Sequence, residues 1–556
     1  MRKPIVLLGA AIFFVTAVAC SAGSDADRYV NAVREYADNV LEHGRDEYGP
    51  KQTPLFVDGL AVDTLQPPIW RKDGEEWILS NPASQQNLFR TLDGLTSLTG
   101  ERKYRGAAIR AIRYAFGNLQ HPNGLLYWGG HYAYDAGGDR IVRERDSHEL
   151  KRHYPYYELM WRVDPAAAEK FLEAFWRSHI INWSNLDMNR HGKYEKDGTA
   201  PWQEKYVGGP VFFVTGANGL SFANTGSDLF YAGAMLREFT GERLPLVWSL
   251  RLAGRYAETR SPETGLSGYQ YSRLAQDRAE AQFGDVERLK GHLVLEGTIL
   301  TTAGRMRYGM MGIVQLKLSE MLGEEGASFR RWALEDLRAY GRHAYNPEDN
   351  TFSAMLTDGT KLSRADIQKE GYYGKPGKSA KLDPRPADGL FFWAYAMAYR
   401  ISGDPFMRDT ARSIARGEGL GDVGQASDAA PELDMGTLCS DPYDLLGCIE
   451  LYRSTGRTEF SAMARRIGDN ILEQRFCKGF FVPSKDHLYA RFDAVEPLAL
   501  LTLAAMIQGR PEAVPEVWPG QSYFHCPYDG VGRTRDIDVI YAKLRSGAAP
   551  TSDDEE

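Results

Sequence analysis

At 556 residues the chain is long enough for a large core. Its formal net charge of -8, from 66 basic and 74 acidic residues, argues against general nucleic-acid binding. It leaves room for an anionic ligand steered by a local basic cleft. Aromatic residues make up 12% of the chain, including 11 Trp and 30 Tyr, a supply that suits stacking on flat ligands such as sugar rings.

The N-terminus reads as an export signal over residues 1–20. Arg2 and Lys3 precede an apolar run from Ile5 to Val18, and small residues follow in Ala17-Val18-Ala19-Cys20-Ser21. A Cys after small residues resembles a bacterial lipobox, with Cys20 as the lipidated residue. The run is too short to favour a spanning helix. Cys439, Cys448, Cys477 and Cys526 are dispersed without paired metal spacing and leave room for one or two disulfides.

From there the chain is built of helical hairpins. Leu98-Thr99-Gly100-Glu101, Phe239-Thr240-Gly241-Glu242, Leu322-Gly323-Glu324, Ile401-Ser402-Gly403-Asp404 and Ser454-Thr455-Gly456-Arg457 each end one amphipathic stretch and begin another. Val163-Asp164-Pro165 plays the same part. Gly supplies the left-handed cap, and Asp or Pro starts the next helix. The junctions lie roughly 50 to 80 residues apart, unlike the even spacing of about 34 in a tetratricopeptide solenoid. The extra length is rich in Gly, Pro, Trp and Tyr, as functional loops are. The expected fold is all-α: an (α/α) toroid of six or seven hairpins over residues 27–508, with long loops forming a cleft. Residues 509–556 form a C-terminal extension, partly disordered, ending in Asp553-Asp554-Glu555-Glu556.

Four constellations carry chemistry. Asn185-Leu186-Asp187-Met188-Asn189-Arg190-His191-Gly192-Lys193-Tyr194 gathers an amide, a guanidinium, an imidazole and a phenol beside a Gly. Tyr127-Trp128-Gly129-Gly130-His131 is followed by His148-Glu149-Leu150-Lys151-Arg152-His153, where His148 and Arg152 are spaced to share a helix face and His148 and His153 are not. His292 precedes Arg305-Met306-Arg307-Tyr308, in which a cation three residues from a phenol would lower its pKa. Gly371-Tyr372-Tyr373-Gly374 and Gly268-Tyr269-Gln270-Tyr271 are aromatic loops suited to sugar stacking. Tyr489-Ala490-Arg491-Phe492-Asp493 precedes the last core helix. Nothing reads as a phosphate loop, a nucleophile elbow or a zincin helix.

An exported toroid with an Asn-x-His motif, a later Arg/Tyr pair and Tyr-rich loops resembles the (α/α)-barrel polysaccharide lyases, which cleave alginate, glucuronan or pectate. Alginate lyases of this fold carry Asn-Asn-His-x-Tyr-Trp, matched here by Asn189-Arg190-His191-Gly192-Lys193-Tyr194. The resemblance implies β-elimination on a uronic-acid polysaccharide without cofactor or metal. Asn189 and Arg190, aided by Arg305, would neutralise the uronate carboxylate. His191 or His292 would be the base and Tyr308 base or acid. Arg190, His148, Arg152, His153, Trp128, Tyr194, Tyr271 and Tyr372 would bind substrate. The alternatives are an (α/α)-barrel glycoside hydrolase acting on unsaturated uronides, with carboxylates drawn from Asp187, Glu149, Asp228, Asp444 and Asp493, or a non-catalytic glycan-binding lipoprotein. The expected location is periplasmic or at the outer membrane, with the lipid on Cys20 as the one membrane contact. Cys20→Ser should then release the protein from membrane fractions; a wild-type protein already soluble, with a mature chain starting elsewhere, would refute the lipid.

Overall fold

The computed structural model describes residues 10–195, 201–209, 223–270, 272–292, 298–425, 430–520, 522–525 and 540–547, with side chains from Asp25 onward. Tyr271, Glu296 and Cys526 lie outside the described residues. The glycine junctions are real caps. Gly100, Gly241, Gly403 and Gly456 have φ of 78°, 75°, 68° and 68°. Their N–H groups donate to the carbonyls of Thr96, Arg237, Tyr399 and Tyr452. These bonds satisfy carbonyls the helix cannot satisfy itself. Asp164 and Asp404 start the next helices by accepting the N–H of Ala167 and Phe406, each at 3.0 Å. Gly323 differs: at φ 57° and ψ −127° it leaves the left-handed well, and a 3-10 turn, Gly323–Gly326, joins the two helices.

The helices are α1 (Ala10–His43), α2 (Gln86–Thr99), α3 (Arg102–Asn118), α4 (Tyr157–Val163), α5 (Pro165–His179), α6 (Ala223–Thr240), α7 (Arg243–Glu258), α8 (Arg273–Phe283), α9 (Thr301–Gly304), α10 (Met311–Leu322), α11 (Ala327–His343), α12 (Gly389–Ser402), α13 (Pro405–Gly417), α14 (Pro442–Thr455), α15 (Thr458–Gln474) and α16 (Glu496–Ile507). Six hairpins run α2–α3, α4–α5, α6–α7, α10–α11, α12–α13 and α14–α15. The first and last helices, α1 and α16, make the seventh pair, and α16 packs beside α2 to close the ring. The architecture is the expected (α/α) toroid. Its inner helices α2, α4, α6, α10, α12, α14 and α16 run in one direction. Some are apolar nearly all round, as in α12, where every residue from Gly389 to Ala398 is buried, whereas α2 buries polar residues such as Arg90 and Asp93. Outer helices such as α13 and α15 bury one face only. Among the described residues strands are confined to loops, in sheets of two or three.

Where α2 and α4 diverge, polar contacts fill the ring. Tyr156 donates to Asp93 at 2.6 Å, and Arg90 donates to the Tyr154 carbonyl at 2.9 Å. The described parts of the C-terminal extension lie against the barrel. Trp518 packs on Tyr231 with ring centroids 4.4 Å apart, and Phe524, Ile540 and Tyr541 share a satellite core with Trp70 and Trp77. Cys439, Cys448 and Cys477 are free thiols. Among the described residues no helix is long and apolar enough to cross a membrane.

Because the inner helices are parallel, their N-terminal ends share one rim. Asp388 and Asp441 cap α12 and α14 there. Asp228 lies in the first turns of α6, and Asp493 lies just before α16. All residues of the candidate site lie at this rim.

Two glycines separate backbone strain from packing. A Cβ at Gly403 would meet nothing within 4 Å, so Gly403→Ala costs only the left-handed backbone, about 1 kcal/mol. A Cβ at Gly447 would lie 2.4 Å from the Phe392 ring, so Gly447→Ala overpacks α14 against α12 at a cost of about 1–3 kcal/mol. Both should lower the denaturation midpoint, and Phe392→Leu should offset only the Gly447→Ala loss in a double-mutant cycle.

Candidate active site

Three separated segments bring His131, Glu149 and His191 together, with one ligand atom from each within 4.8 Å of the others. The hairpin Tyr132–Asp135 and Arg140–Arg143 pairs Tyr132 with Arg143, which sets Glu144 opposite His131. His131 Nδ1 meets Glu144 Oε2 at 3.0 Å, and its Nε2 meets Glu149 Oε2 at 3.0 Å. Arg190 Nε reaches Glu149 Oε1 at 3.1 Å, and His191 Nε2 lies 3.9 Å from Glu149 Oε2. Both His131 and Glu149 are fully buried, whereas the Arg190 and His191 side chains are 26% and 21% exposed and form the open edge. Two glycines make the approach. A Cβ on Gly129, at φ 91°, would sit 2.2 Å from the Glu149 carbonyl oxygen, and one on Gly130 would sit 2.6 Å from Glu149 Oε2.

The titrations follow. Burial alone would raise the Glu149 pKa, but His131, Arg190 and Lys151 hold it well below the usual carboxylate range. Burial would lower that of His131, but Glu144 and Glu149 outweigh it and raise it. Burial pushes His191 down to about 3 despite Glu149, so this imidazole is neutral near pH 7. A neutral His131 with its proton on Nδ1, facing Glu144, presents a lone pair to a carboxylate oxygen 3.0 Å away. Such a contact requires a proton or a cation between the two atoms. His131, Glu149 and His191 are a fitting donor set for a divalent cation, with Glu144 orienting the His131 ring from behind. Sequence reasoning expected no metal, because the three ligands come from three segments and show no local spacing.

A buried histidine pair holds the His191 loop. His148 Nδ1 and His179 Nε2 are 3.0 Å apart, and His179 Nδ1 faces the Asn189 carbonyl at 2.8 Å. The assignment that satisfies both contacts puts protons on His179 Nδ1 and His148 Nδ1. The backbones of His148 and Gly192 exchange two hydrogen bonds of 2.9 and 2.8 Å. A Cβ on Gly192 would strike His179 Nε2 at 2.6 Å. Asn189 turns its Oδ1 back to accept the His191 N–H at 2.9 Å. It therefore shapes the loop, which is not the neutraliser role expected of it.

The turn after Glu149 is strained. Arg152 and Tyr154 adopt positive φ of 71° and 42°, and neither residue type favours that region. Asp228 over-determines it by accepting the Arg152 and Tyr154 N–H groups at 2.8 and 3.0 Å. Lys151 lies over the Tyr523 ring at 4.1 Å, and the Arg152 guanidinium reaches the Met306 sulfur. His153 is buried, accepts the Lys151 N–H at 3.0 Å and is pushed by burial down to about 3. It supports the turn and does not face a ligand.

Several expected site residues lie elsewhere. Tyr308 is fully buried and stacks on Tyr340 with centroids 4.2 Å apart. Its hydroxyl donates to the Ser267 carbonyl at 2.7 Å, and burial pushes its pKa up to about 12. The reason is local: Arg305–Met310 is a π-helical turn, so residues three apart do not share a face. Arg305 instead pairs with Asp388 at 2.5 Å on the rim, and Arg307 is the cation over the Tyr308 ring. Trp128, 2% exposed, packs edge-on against Phe171. Tyr194 is buried, stacks on Tyr127 and donates to the Leu126 carbonyl at 2.9 Å. His148 is buried behind the loop, as above. His292 is an exposed residue 3.4 Å from Asp358, away from the triad. Of the expected residues, Arg190, His191 and Arg152 are at the site, and Tyr372 lines a pocket beside it. His131 and Glu149 lie at the centre of the site; the sequence places both in a candidate constellation but offers Glu149 only as a carboxylate of the hydrolase alternative and gives His131 no role. The Gly129-Gly130 pair was their one visible signal, since adjacent glycines mark a close backbone approach.

A family model described as periplasmic pectate lyase matches residues 53–527. A pectate disaccharide-lyase of Dickeya dadantii (strain 3937) is 29% identical over 550 residues, covering 93% of this chain and 96% of its own. Among solved structures, a D-mannose isomerase is 12% identical with a TM-score of 0.42, over 81% of this chain and 98% of that one. An unsaturated glucuronyl hydrolase specific for heparin is 10% identical with a TM-score of 0.39, over 87% of this chain and 98% of that one.

Gly130→Ala tests the site's packing. The new methyl would displace the Glu149 carboxylate, so turnover should fall at least about 100-fold, the scale on which small misplacements act. The circular dichroism spectrum should stay unchanged. Retention of full turnover would show that the Glu149 position is not critical.

Proposed function

The chain belongs to the periplasmic pectate lyase family and is a polysaccharide lyase, and we propose that it cleaves polygalacturonate in the periplasm by β-elimination at the centre formed by His131, Glu149, His191 and Arg190. The observation that carries this reading is the buried 3.0 Å contact between His131 Nε2 and Glu149 Oε2, opening onto Arg190 and His191. His131, Glu149 and His191 would hold a divalent cation. Such a cation, when bound, draws charge from a uronate carboxylate and makes the adjacent C5 proton more acidic.

The protein's own groups then divide the work. Lys151 and Arg152, presented by the strained turn, attract the substrate carboxylate. His191 directs Nε2 at the Glu149 carboxylate, so the proton acceptor is the next basic group on the same turn, Arg190. A guanidinium is normally protonated. As base it acts in its neutral form, its resting proton already lost to solvent. Arg190 takes the C5 proton, the electron pair forms the C4–C5 double bond, and the C4–O bond breaks. The leaving oxygen takes a proton from water. The product is an unsaturated uronide, and we assign disaccharide release after the activity named for the Dickeya relative.

The assay follows ultraviolet absorbance of the new conjugated double bond on polygalacturonate, alginate and glucuronan, with reducing ends measured alongside. Polygalacturonate should give the strongest absorbance. Reducing ends without absorbance would replace the lyase with a hydrolase, and preference for alginate would overturn the substrate. Chelation should abolish turnover, and added divalent metal should restore it. Glu149→Gln and His191→Ala should lose both metal and activity. Arg190→Ala should keep bound metal and lose about 10²–10⁴-fold in kcat, the usual worth of a general base.

A further inference from the structure

A second pocket adjoins the centre. It is lined by Tyr269, Gln270, Thr298, Leu300, Tyr372 and Tyr373. The floor is apolar, two tyrosine rings form the walls, and an amide and a hydroxyl supply polar groups. This is the composition that holds a sugar ring while bonding its hydroxyls. Its wall is rigid. The backbones of Gly371 and Gly374 exchange hydrogen bonds of 3.1 and 3.0 Å. The buried Gln282 clamps the loop from behind by donating to the carbonyls of Lys369 and Gly374 at 3.0 and 3.1 Å.

Two cations are stationed on this wall. The Arg278 guanidinium lies 4.1 Å from the centroid of the Tyr372 ring, and Lys381 Nζ lies 5.3 Å from it. The aromatic ring orients them without neutralising them. Arg278, on α8, is half-buried and has no carboxylate partner among the described residues. A half-buried cation of this kind favours an anion, and Arg matches a carboxylate with two parallel hydrogen bonds.

The pocket and the centre are joined. Tyr269 lines the pocket, and its hydroxyl touches the Met306 sulfur at 3.5 Å. The same sulfur meets the guanidinium of Arg152, three residues from Glu149. A saccharide seated at Glu149 that extends past Tyr269 therefore reaches Tyr372 and Arg278.

We infer that the pocket between Tyr269 and Tyr372, with Arg278 and Lys381 on its wall, is a binding subsite for a uronate residue remote from the bond that breaks. It grips that residue by its carboxylate and so sets how far the polymer is threaded before scission. The inference rests on the pectate-lyase reading for its ligand, a galacturonate oligosaccharide.

The test measures binding apart from turnover. Calorimetry follows saturated tetragalacturonate binding to the metal-loaded Arg190→Ala protein, which turns over too slowly to consume it, with and without Arg278→Ala. Losing a charged hydrogen-bonding partner should weaken binding at least about tenfold. Arg278→Lys should recover part of the loss, which a merely structural role would not. In otherwise wild-type enzyme, Arg278→Ala should place its loss on KM and shift the product lengths. If Arg278→Ala and the double variant Arg278→Ala, Lys381→Ala leave Kd, KM and product lengths within twofold, the subsite is wrong while the lyase stands. If wild-type protein makes no double bonds yet binds the tetramer in an Arg278-dependent way, the lyase reading falls and the subsite stands.

Discussion

Glu149 is the constraint on which the site depends. A carboxylate with no exposure is expensive to bury, and it is tolerated only when charged and hydrogen-bonding partners surround it. Here His131, Arg190 and Lys151 do so, and each is brought by a different device: a hairpin, a loop pinned by two histidines, and a strained turn. Removing any one partner leaves a buried anion undercompensated. The surrounding structure must therefore be specified closely, and the glycines at 129, 130 and 192 are the places where that specification leaves no room for a Cβ.

The supporting residues form a second layer with its own logic. Asp228 is fully buried and accepts backbone N–H groups from the turn that carries Lys151 and Arg152. Those bonds favour its charged form, but burial outweighs them and moves its pKa up to about 7. Its bonds hold Arg152 and Tyr154 in left-handed conformations that would otherwise relax. Strain is stored next to the chemistry and maintained by a rigid inner helix, α6, which is the usual distribution in a preorganised site.

The sequence revealed the barrel because hairpin caps are local. A glycine at the end of a helix and an aspartate at the start of the next report their conformations within a few residues, as Gly403 and Asp404 do. The site was less legible because its contacts are long-range. His131 to Glu149 crosses a β-hairpin, and His191 arrives after the α4–α5 hairpin. The motif read through Asn189-Arg190-His191 lies on the loop that reaches Glu149, yet three-residue spacing failed at Arg305 and Tyr308, where the π turn breaks the helical phase. In the sequence Trp128 and Tyr194 read as substrate-binding residues. Nothing in their own neighbourhood distinguishes an aromatic residue of the core from one in a cleft, and both are core.

The same rim resolves how a chain of net charge -8 serves an acidic polymer. The inner helices converge with their positive N-terminal ends on the mouth, a ring of dipoles that favours anions. The carboxylates placed there do not cancel it in proportion to their number. Asp388 is paired with Arg305. Beyond it, burial followed by mutual repulsion with Asp441 and Asp388 pushes Glu418 up to about 7. Burial and the neighbouring Asp441 and Glu418 likewise raise Asp444 well above the carboxylate range. Part of this cluster therefore stays protonated near neutrality, and the negative charge facing the mouth is smaller than the residue count suggests. Arg152, Lys151 and Arg190 stand on the opposite side, close to Glu149. The outer helices carry more Lys and Arg than Asp and Glu, so the net negative charge lies in loops and in the C-terminal residues, and salt screens what is exposed there.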